Sequence, residues 1–150
     1  MALGFVAGFT GDEIERGVKN LGFQSDFIRV ENGMSRINVK LRSEEESEIN
    51  GTGPEITGAD VEKLFEKLEK LRADDVLVLS GSIPHSIDDG IYERIMERLD
   101  GRGIRIVVDA TKDLLMNVLP YHPFMIKPNN HELGEMFGTV PKDEEEIIYY

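Results

Sequence analysis

The fold of this chain is decided by one stretch, Phe124-Met125-Ile126-Lys127-Pro128-Asn129-Asn130-His131-Glu132-Leu133. Its apolar residues predict a short buried strand that ends at Lys127, and Pro128 then marks a turn. A helix is predicted to open at Asn129, because Glu132 stands three residues later, as in a capping box. In an open α/β sheet, ligands bind where strands give way to helix N-termini, so this junction is a candidate site for a phosphate or a metal ion.

The same residues also have a purely structural explanation. Asn129 and Glu132 have the spacing of an N-cap and its reciprocal partner, a pair that opens many helices without binding a ligand. Lys127 by itself adds little, since a lysine at a strand end is normally solvated. Support for a ligand site comes from the other strands, which are also predicted to end in polar residues.

The second half of the chain alternates between helical and strand patterns. Val76-Leu77-Val78-Leu79 is a continuous apolar run, typical of a strand covered on both faces, and residues 104–108 predict another strand. Helices with apolar stripes separate the strands, and this alternation predicts an α/β fold with a parallel sheet and right-handed crossovers. Because parallel strands point the same way, their polar ends fall on one edge of the sheet: Ser80, Ser82, Asp109, Lys127 and Asn129.

The first 50 residues have a different character. Residues 2–9 are interpreted as a buried strand, followed by a helix. Residues 25–50 predict an antiparallel hairpin with strand 27–30, a turn at Asn32-Gly33 and a return strand in which apolar and polar residues alternate; four glutamates in 43–48 predict an exposed acidic turn. The predicted organisation is an α/β core, 1–24 and 51–150, with a β-hairpin lid, 25–50. The polar face of the return strand is either a solvated surface or a source of positive charge for an anionic substrate; it carries Arg36, Asn38, Lys40 and Arg42.

Composition narrows the class of protein. The chain has 150 residues, with 17 basic and 29 acidic side chains and a formal charge of -12, which argues against nucleic acid or an anionic membrane as partner. The absence of cysteine excludes disulfides and thiolate zinc sites, and the longest apolar run is far short of a membrane span, so a cytoplasmic location is expected. His85, His122 and His131 are scattered and are interpreted as surface residues rather than metal ligands.

Three sets of residues together resemble the ribokinase-like carbohydrate kinases of the phosphofructokinase B type. They are Leu3-Gly4-Phe5 through Gly11, then Ser35-Arg36-Ile37-Asn38-Val39-Lys40 with Glu48-Ile49-Asn50-Gly51, then Ser80-Gly81-Ser82-Ile83-Pro84 with the stretch 127–133. The order and spacing are similar to those of the 1-phosphofructokinase branch, with tagatose-6-phosphate kinases beside it. The resemblance implies transfer of the ATP γ-phosphoryl group to a hydroxyl of fructose 1-phosphate, or alternatively of tagatose 6-phosphate, with Mg2+ as cofactor.

The resemblance also implies roles for individual residues. Arg36, Asn38, Lys40 and Ser82 would bind the sugar phosphate, and Lys127, Asn129 and Glu132 would bind the nucleotide. Glu132 and Asp109 would hold Mg2+ through water. A homodimer or other self-association is expected, because sheet neighbours present in the family would be missing here.

Two departures from the family pattern shape the remaining expectations. The glycine-rich G-G-x-G-x-N segment and the D-T-x-G-A-G-D loop with the general-base aspartate do not occur in the 150 residues, so the chain is interpreted as a central fragment, with that aspartate expected beyond Tyr150 and no catalytic residue of its own. We therefore expect no turnover by this chain alone. The alternatives are a non-catalytic nucleotide-binding remnant and a generic doubly wound domain whose polar strand ends are only caps.

Overall fold

The computed structural model of the chain describes residues 1–42, 46–81, 83–110, 112–141 and 143–149. These residues form two compact units, Met1–Leu68 and Glu69–Tyr150, each with its own buried core. Both units combine helices with parallel strands, which confirms the predicted α/β class. No helix in the described part of the chain has the length and apolar character needed to cross a membrane.

The described residues of the first unit form two small sheets and two helices. Strands β1 and β2 pair in parallel, β3 and β4 pair antiparallel, and helices α1 and α2 pack on β1 and β2. The buried apolar residues include Val6 of β1, Ile28 of β2 and Val61, Phe65 and Leu68 of α2. The elements are β1 (Phe5–Val6), α1 (Gly8–Asn20), β2 (Ile28–Arg29), β3 (Asn38–Arg42), β4 (Glu46–Asn50) and α2 (Gly58–Leu68).

The strand predicted for residues 2–9 is wrong in its extent. Only Phe5–Val6 is a strand, and helix α1 begins at Gly8. Gly8 has a φ of 58°, and a Cβ built on it would lie 2.8 Å from the carbonyl oxygen of Gly33, so glycine permits both the conformation and the close approach. The apolar pattern did not reveal this change from strand to helix at Gly8. Phe9, which was predicted to lie in the strand, is 68% exposed on the helix.

The hairpin is shorter than predicted and closes elsewhere. Residues 28–29 pair in parallel with β1, so their interpretation as the first hairpin arm is wrong, and Asn32-Gly33 is not the hairpin turn. The antiparallel partner of β3 is β4, with Lys40 opposite Glu48, so part of the predicted acidic turn is strand. The connecting residues 43–45 lie outside the described ranges. The assignment of residues 25–50 to a lid and of 1–24 and 51–150 to a core stays a prediction.

The second unit is a three-stranded parallel sheet in the order β5-β6-β7, with helices after each strand. Because both crossovers run in the same direction across the sheet, right-handed connections place α3 and α4 on the same face. The last described residues form a short helix, Glu144–Tyr149. The elements are β5 (Val76–Ser80), α3 (Ile91–Leu99), β6 (Arg105–Asp109), α4 (Lys112–Val118), a 3-10 turn (Leu119–Tyr121), β7 (Met125–Ile126), α5 (Asn130–Phe137) and α6 (Glu144–Tyr149).

The two faces of this sheet differ in exposure. Leu79, Ile106 and Val108 are buried, together with most apolar residues of α3 and with Leu115 and Val118 of α4. On the opposite face, Val76 and Val78 are 53% and 56% exposed. The prediction that β5 is covered on both faces is therefore wrong, because the helices that follow β5 and β6 lie on a single side.

Candidate functional site

Three polar residues lie side by side at the carboxyl ends of the parallel strands. Ser80, the last residue of β5, is in register with Asp109, the last residue of β6. Lys127 follows β7, and its Nζ lies 3.0 Å from Oδ1 of Asp109, with both side chains partly exposed to solvent. We call Ser80, Gly81, Asp109 and Lys127 the strand-exit cluster.

Backbone hydrogen bonds fix the cluster. The N–H of Lys127 donates to the carbonyl of Val108 over 3.0 Å, which extends the β6–β7 ladder by one residue. The N–H of Gly81 donates to the carbonyl of Asp109 over 3.4 Å, and this extends the β5–β6 ladder in the same way. The polar side chains therefore sit on continued sheet rather than on loose loop, which limits their movement.

Helix α5 opens with the capping box that the sequence predicted. The side chain of Asn129 accepts from the N–H of Glu132 over 2.9 Å, and Glu132 Oε2 accepts from the N–H of Asn129 over 2.8 Å. The structural explanation of this pair is thus confirmed. The nucleotide role of the pair stays a prediction. It is compatible with the capping box, because each residue keeps a second polar atom on a solvent-exposed helix start.

Magnesium is the metal that the family resemblance implies, and the donor set can be compared with its needs. Mg2+ is usually held by one or two carboxylates together with substrate phosphates and water. Asp109 and Glu132 supply carboxylates, although Lys127 and the capping hydrogen bond each occupy one oxygen. Among the described residues, no three His, Asp or Glu side chains converge as a metal cage. The second oxygen of each carboxylate lies outside these contacts, which suits an ion held mainly by phosphate and water, and the magnesium role of Asp109 and Glu132 stays a prediction.

The predicted sugar-phosphate residues of the first unit lie on or next to β3. Lys40 pairs with Glu48 across the hairpin at 2.7 Å, and this contact, first as a hydrogen bond and then as charge attraction, lowers the pKa of Glu48. Arg36 and Asn38 are exposed. The ion pair shows that the charge of Lys40 is matched by a neighbour on its own hairpin, so Arg36 is the stronger candidate for an anion.

A buried serine beside Arg36 was missed by the sequence reasoning. Ser35 is 7% exposed; its Oγ accepts from the N–H of Ala7 over 3.0 Å, and its N–H donates to the carbonyl of Ala7 over 2.9 Å. Thr10 Oγ1 donates to the carbonyl of Ser35 over 2.8 Å. These bonds tie the residue before Arg36 to the start of α1. Ser35 and Thr10 lie in stretches that carry the family resemblance, but hydrophobic patterns do not mark a buried hydroxyl.

The structure assembles part of the predicted site. It brings Asp109 and Lys127 together, and Asn129 with Glu132. Ser82 lies outside the described residues, and Arg36, Asn38 and Lys40 belong to the other compact unit. The three histidines are exposed, as expected.

The fold and the strand-exit cluster define an α/β protein with a candidate ligand edge at the carboxyl ends of its parallel strands. More particularly, the chain belongs to the pfkB family of carbohydrate kinases, whose family model matches residues 1–150. The chain is 42% identical over 149 residues to 1-phosphofructokinase of Bacillus subtilis strain 168, and 37% identical over 149 residues to D-tagatose-1-phosphate kinase of Bacillus licheniformis. Each match covers 99% of the chain but only 49% of the relative, so the chain spans about half the length of the curated relatives it matches.

Solved structures agree in fold and in coverage. A structure from Staphylococcus aureus, described as that of a candidate phosphofructokinase, superposes with a TM-score of 0.81 at 42% identity, over 99% of this chain and 48% of that one. Phosphofructokinase-2 of Escherichia coli in complex with substrates and products superposes with a TM-score of 0.86 at 19% identity, over 99% of this chain and 49% of the other. The second match supports the fold alone. The chain thus adopts about half of a known kinase fold.

Proposed function

We propose that this chain is part of an ATP-dependent sugar-phosphate kinase that converts fructose 1-phosphate to fructose 1,6-bisphosphate. The observation that carries the proposal is the 42% identity to a 1-phosphofructokinase, which runs over 149 of the 150 residues. The strand-exit cluster supports it, because a lysine and a carboxylate held on rigid strands suit the positioning and charge neutralisation of phosphoryl transfer.

The nucleotide end of the site is assigned to Lys127, Asn129 and Glu132. Lys127 would donate to the nucleotide phosphates in exchange for its contact with Asp109, which then becomes free to accept from magnesium-bound water. Asn129 and Glu132 would orient water and phosphate at the start of α5, where unpaired backbone N–H groups favour negative charge. When bound, Mg2+ would neutralise charge on the phosphates being transferred.

The sugar-phosphate end is assigned to Arg36, Asn38, Lys40 and Ser82. Arg36 would bind the existing phosphate, because a guanidinium matches phosphate oxygens in a bidentate manner. The hydrogen bonds of Ser35 support this assignment, since they fix the backbone from which Arg36 extends. Lys40 would contribute more weakly because Glu48 competes for it.

A tagatose phosphate is the second candidate substrate. The relative at 37% identity is named D-tagatose-1-phosphate kinase, so its phosphate is on carbon 1 rather than on carbon 6 as the sequence reasoning had suggested. Comparing fructose 1-phosphate, tagatose 1-phosphate and tagatose 6-phosphate in the same binding assay separates the three.

Binding of magnesium-ATP to the 150-residue chain, measured by isothermal titration calorimetry after circular dichroism has verified folding, tests the nucleotide assignment. We expect Lys127→Met to weaken binding about tenfold or more, since a hydrogen bond to a charged group contributes about 1.5–3 kcal/mol. Lys70→Met, at an exposed lysine away from the cluster, is the matched control and should bind as the parent does. Equal affinities for all three proteins would contradict the assignment.

Glu132→Gln separates the metal role from the capping role. Glutamine can also accept the hydrogen bond from the N-cap backbone, so helix α5 should keep its stability. Loss of the carboxylate charge should nevertheless reduce the magnesium dependence of ATP binding. If stability and binding are both unchanged, Glu132 is only a cap.

A coupled ADP-release assay with magnesium, ATP and fructose 1-phosphate tests turnover. We expect no activity from the 150-residue chain alone, because the segment that carries the family's general-base aspartate does not occur in it. A robust rate would overturn this expectation, and failure to bind any ligand would favour a non-catalytic role. The expected homodimer or other self-association and the cytoplasmic location stay predictions.

A further inference from the structure

Tyr92 contacts the strand-exit cluster from the opposite side to Lys127. It is the second residue of α3, its side chain is half-buried, and its hydroxyl donates to the carbonyl of Gly81 over 3.2 Å. The apolar face of α3, with Ile91 and Ile95 buried, accounts for the partial burial of the ring but not for the hydroxyl. A tyrosine in this position spans the distance between the helix layer and the end of β5.

Both backbone polar groups of Gly81 are hydrogen-bonded. Its carbonyl accepts from Tyr92, and its N–H donates to the carbonyl of Asp109. Its φ of 98° lies in a region that residues with a Cβ rarely adopt, so the chain turns sharply as it leaves Ser80. The turn needs external support, because glycine has more conformational freedom to lose than any other residue. Tyr92 supplies part of that support.

The electrostatic environment keeps Tyr92 a hydrogen-bond donor. Burial raises the pKa of its hydroxyl above the ordinary value of 10.0, and the negative charge of Asp109 raises it further. The phenol reaches the cluster through Gly81, whose carbonyl accepts from Tyr92 and whose N–H donates to the carbonyl of Asp109. Lys127, at 3.0 Å from Asp109, is the charged group that faces this carboxylate from β7.

We propose that Tyr92 is a positioning residue of the candidate site, whose hydroxyl fixes the Ser80–Gly81 turn beside Asp109 and so sets where a sugar-phosphate oxygen is held at the end of β5. For the identity of the ligand this rests on the proposed function. Tyr92→Phe keeps the ring and its packing but removes the donor. In this variant Gly81 loses the hydrogen bond from Tyr92 and keeps the one from its N–H to Asp109. The Ser80–Gly81 turn therefore becomes more mobile, while the packing of the core is unchanged.

The arrangement can be tested without any ligand by following phenolate absorbance during alkaline titration. Subtracting the titration of Tyr92→Phe from that of the parent isolates Tyr92, and we expect it to titrate above pH 10.0. Asp109→Asn should lower this pKa, whereas Tyr121→Phe, at a tyrosine 37% exposed, should leave it unchanged. A Tyr92 that titrates as an ordinary tyrosine, or that does not respond to Asp109→Asn, would overturn the proposal.

The same pKa shift has a consequence for stability. Because the folded-state pKa is raised, the contribution of Tyr92 to stability is fully present below pH 10.0 and is lost as pH rises through the folded-state value. The parent should therefore lose stability relative to Tyr92→Phe above pH 10.0, as measured by urea unfolding. A constant difference between the two proteins across that range would count against the proposed contact.

Ligand binding completes the test. Tyr92→Phe should weaken fructose 1-phosphate binding about twofold to tenfold, the range expected for one neutral hydrogen bond, and leave magnesium-ATP binding unchanged. An equal weakening of both ligands would indicate general damage and overturn a positioning role. If the parent binds no fructose 1-phosphate while the titration coupling to Asp109 is present, the proposed function fails, and the placement of Tyr92 at the cluster stands.

Discussion

The two faces of the parallel sheet in the second unit are built from the same strands, and both carry apolar side chains of β5, yet they have different environments. Val108 is fully buried, at 0% exposed, and Leu79 is 6% exposed. Val78 and Met125, on the other face, are 56% and 50% exposed. The difference lies in the connections, because consecutive right-handed crossovers in one direction place their helices on one side only.

This contrast shows what an apolar strand does and does not specify. A continuous Val/Leu run is typical of a strand covered on both faces, but it does not specify where the neighbouring helices lie. The chain spans about half the length of its curated relatives. Val76, Val78 and Met125 form an exposed apolar sheet face, a kind of surface that often marks an interaction site.

The largest expected effect separates the two faces with one substitution type. Val108→Asp places a carboxylate where no solvent reaches and should cost more than about 4 kcal/mol, enough to unfold a marginal domain. Val78→Asp should cost about 1 kcal/mol or less, as at a solvated strand position. Urea unfolding followed by circular dichroism measures both. Equal losses would mean that the exposed face is also covered in solution.

A smaller effect concerns what the exposed face does in solution. We expect the parent chain to self-associate, because exposed apolar sheet faces attract one another. Val78→Lys combined with Met125→Lys should raise the dissociation constant about tenfold, which corresponds to about 1.4 kcal/mol. Sedimentation velocity over a range of concentrations measures this, with Val140→Lys, at a residue 76% exposed, as the control.

Two outcomes would change that interpretation. A parent chain that stays monomeric at all concentrations would contradict the expectation. Val39→Lys, on the apolar side of the hairpin, provides the rival test, since Val39 is itself 43% exposed. If that variant alone abolishes association, the hairpin rather than the sheet forms the contact.

The smallest effect concerns helix α5, which packs beside the helices that cover the buried face of the sheet. Helix α5 contacts α4, and its start depends on the capping box. Asn129→Ala should lower the free energy of unfolding by about 1 kcal/mol, whereas Asn129→Asp should be nearly neutral because aspartate caps equally well. Thermal unfolding of both variants provides the comparison. Identical losses would show that the side-chain oxygen does not cap the helix.

Local chemistry was predictable from the sequence where it depended on neighbouring residues. The Asn129–Glu132 capping box followed from spacing, and the edge that gathers Ser80, Asp109 and Lys127 followed from the alternation of strands and helices. The ion pair between Asp109 and Lys127 could not be predicted in this way, because the order of strands in the sheet is set by tertiary contacts. Ser35 and Tyr92 were missed because their roles depend on backbone partners that no spacing rule identifies.

The wrong predictions for the first unit have a common origin. The interpretation of residues 27–30 as a hairpin arm relied on Asn32-Gly33, a strong local turn signal. Residues 28–29 instead pair in parallel with Phe5–Val6. This pairing places Ile28 in the buried core beside Val6, and a hairpin turn alone does not provide that burial. Local signals predicted the elements of this unit better than their partners.

The in-register alignment of Ser80 with Asp109 limits how the sequence can change length. Side chains on a strand alternate between faces, so inserting one residue within β6 would turn Asp109 toward the helices and separate it from Lys127. Insertions in the connections that precede the strands leave that alternation intact. Length variation compatible with the strand-exit cluster is thus confined to the loops, while the strands tolerate exchange of residues but not a change in their number.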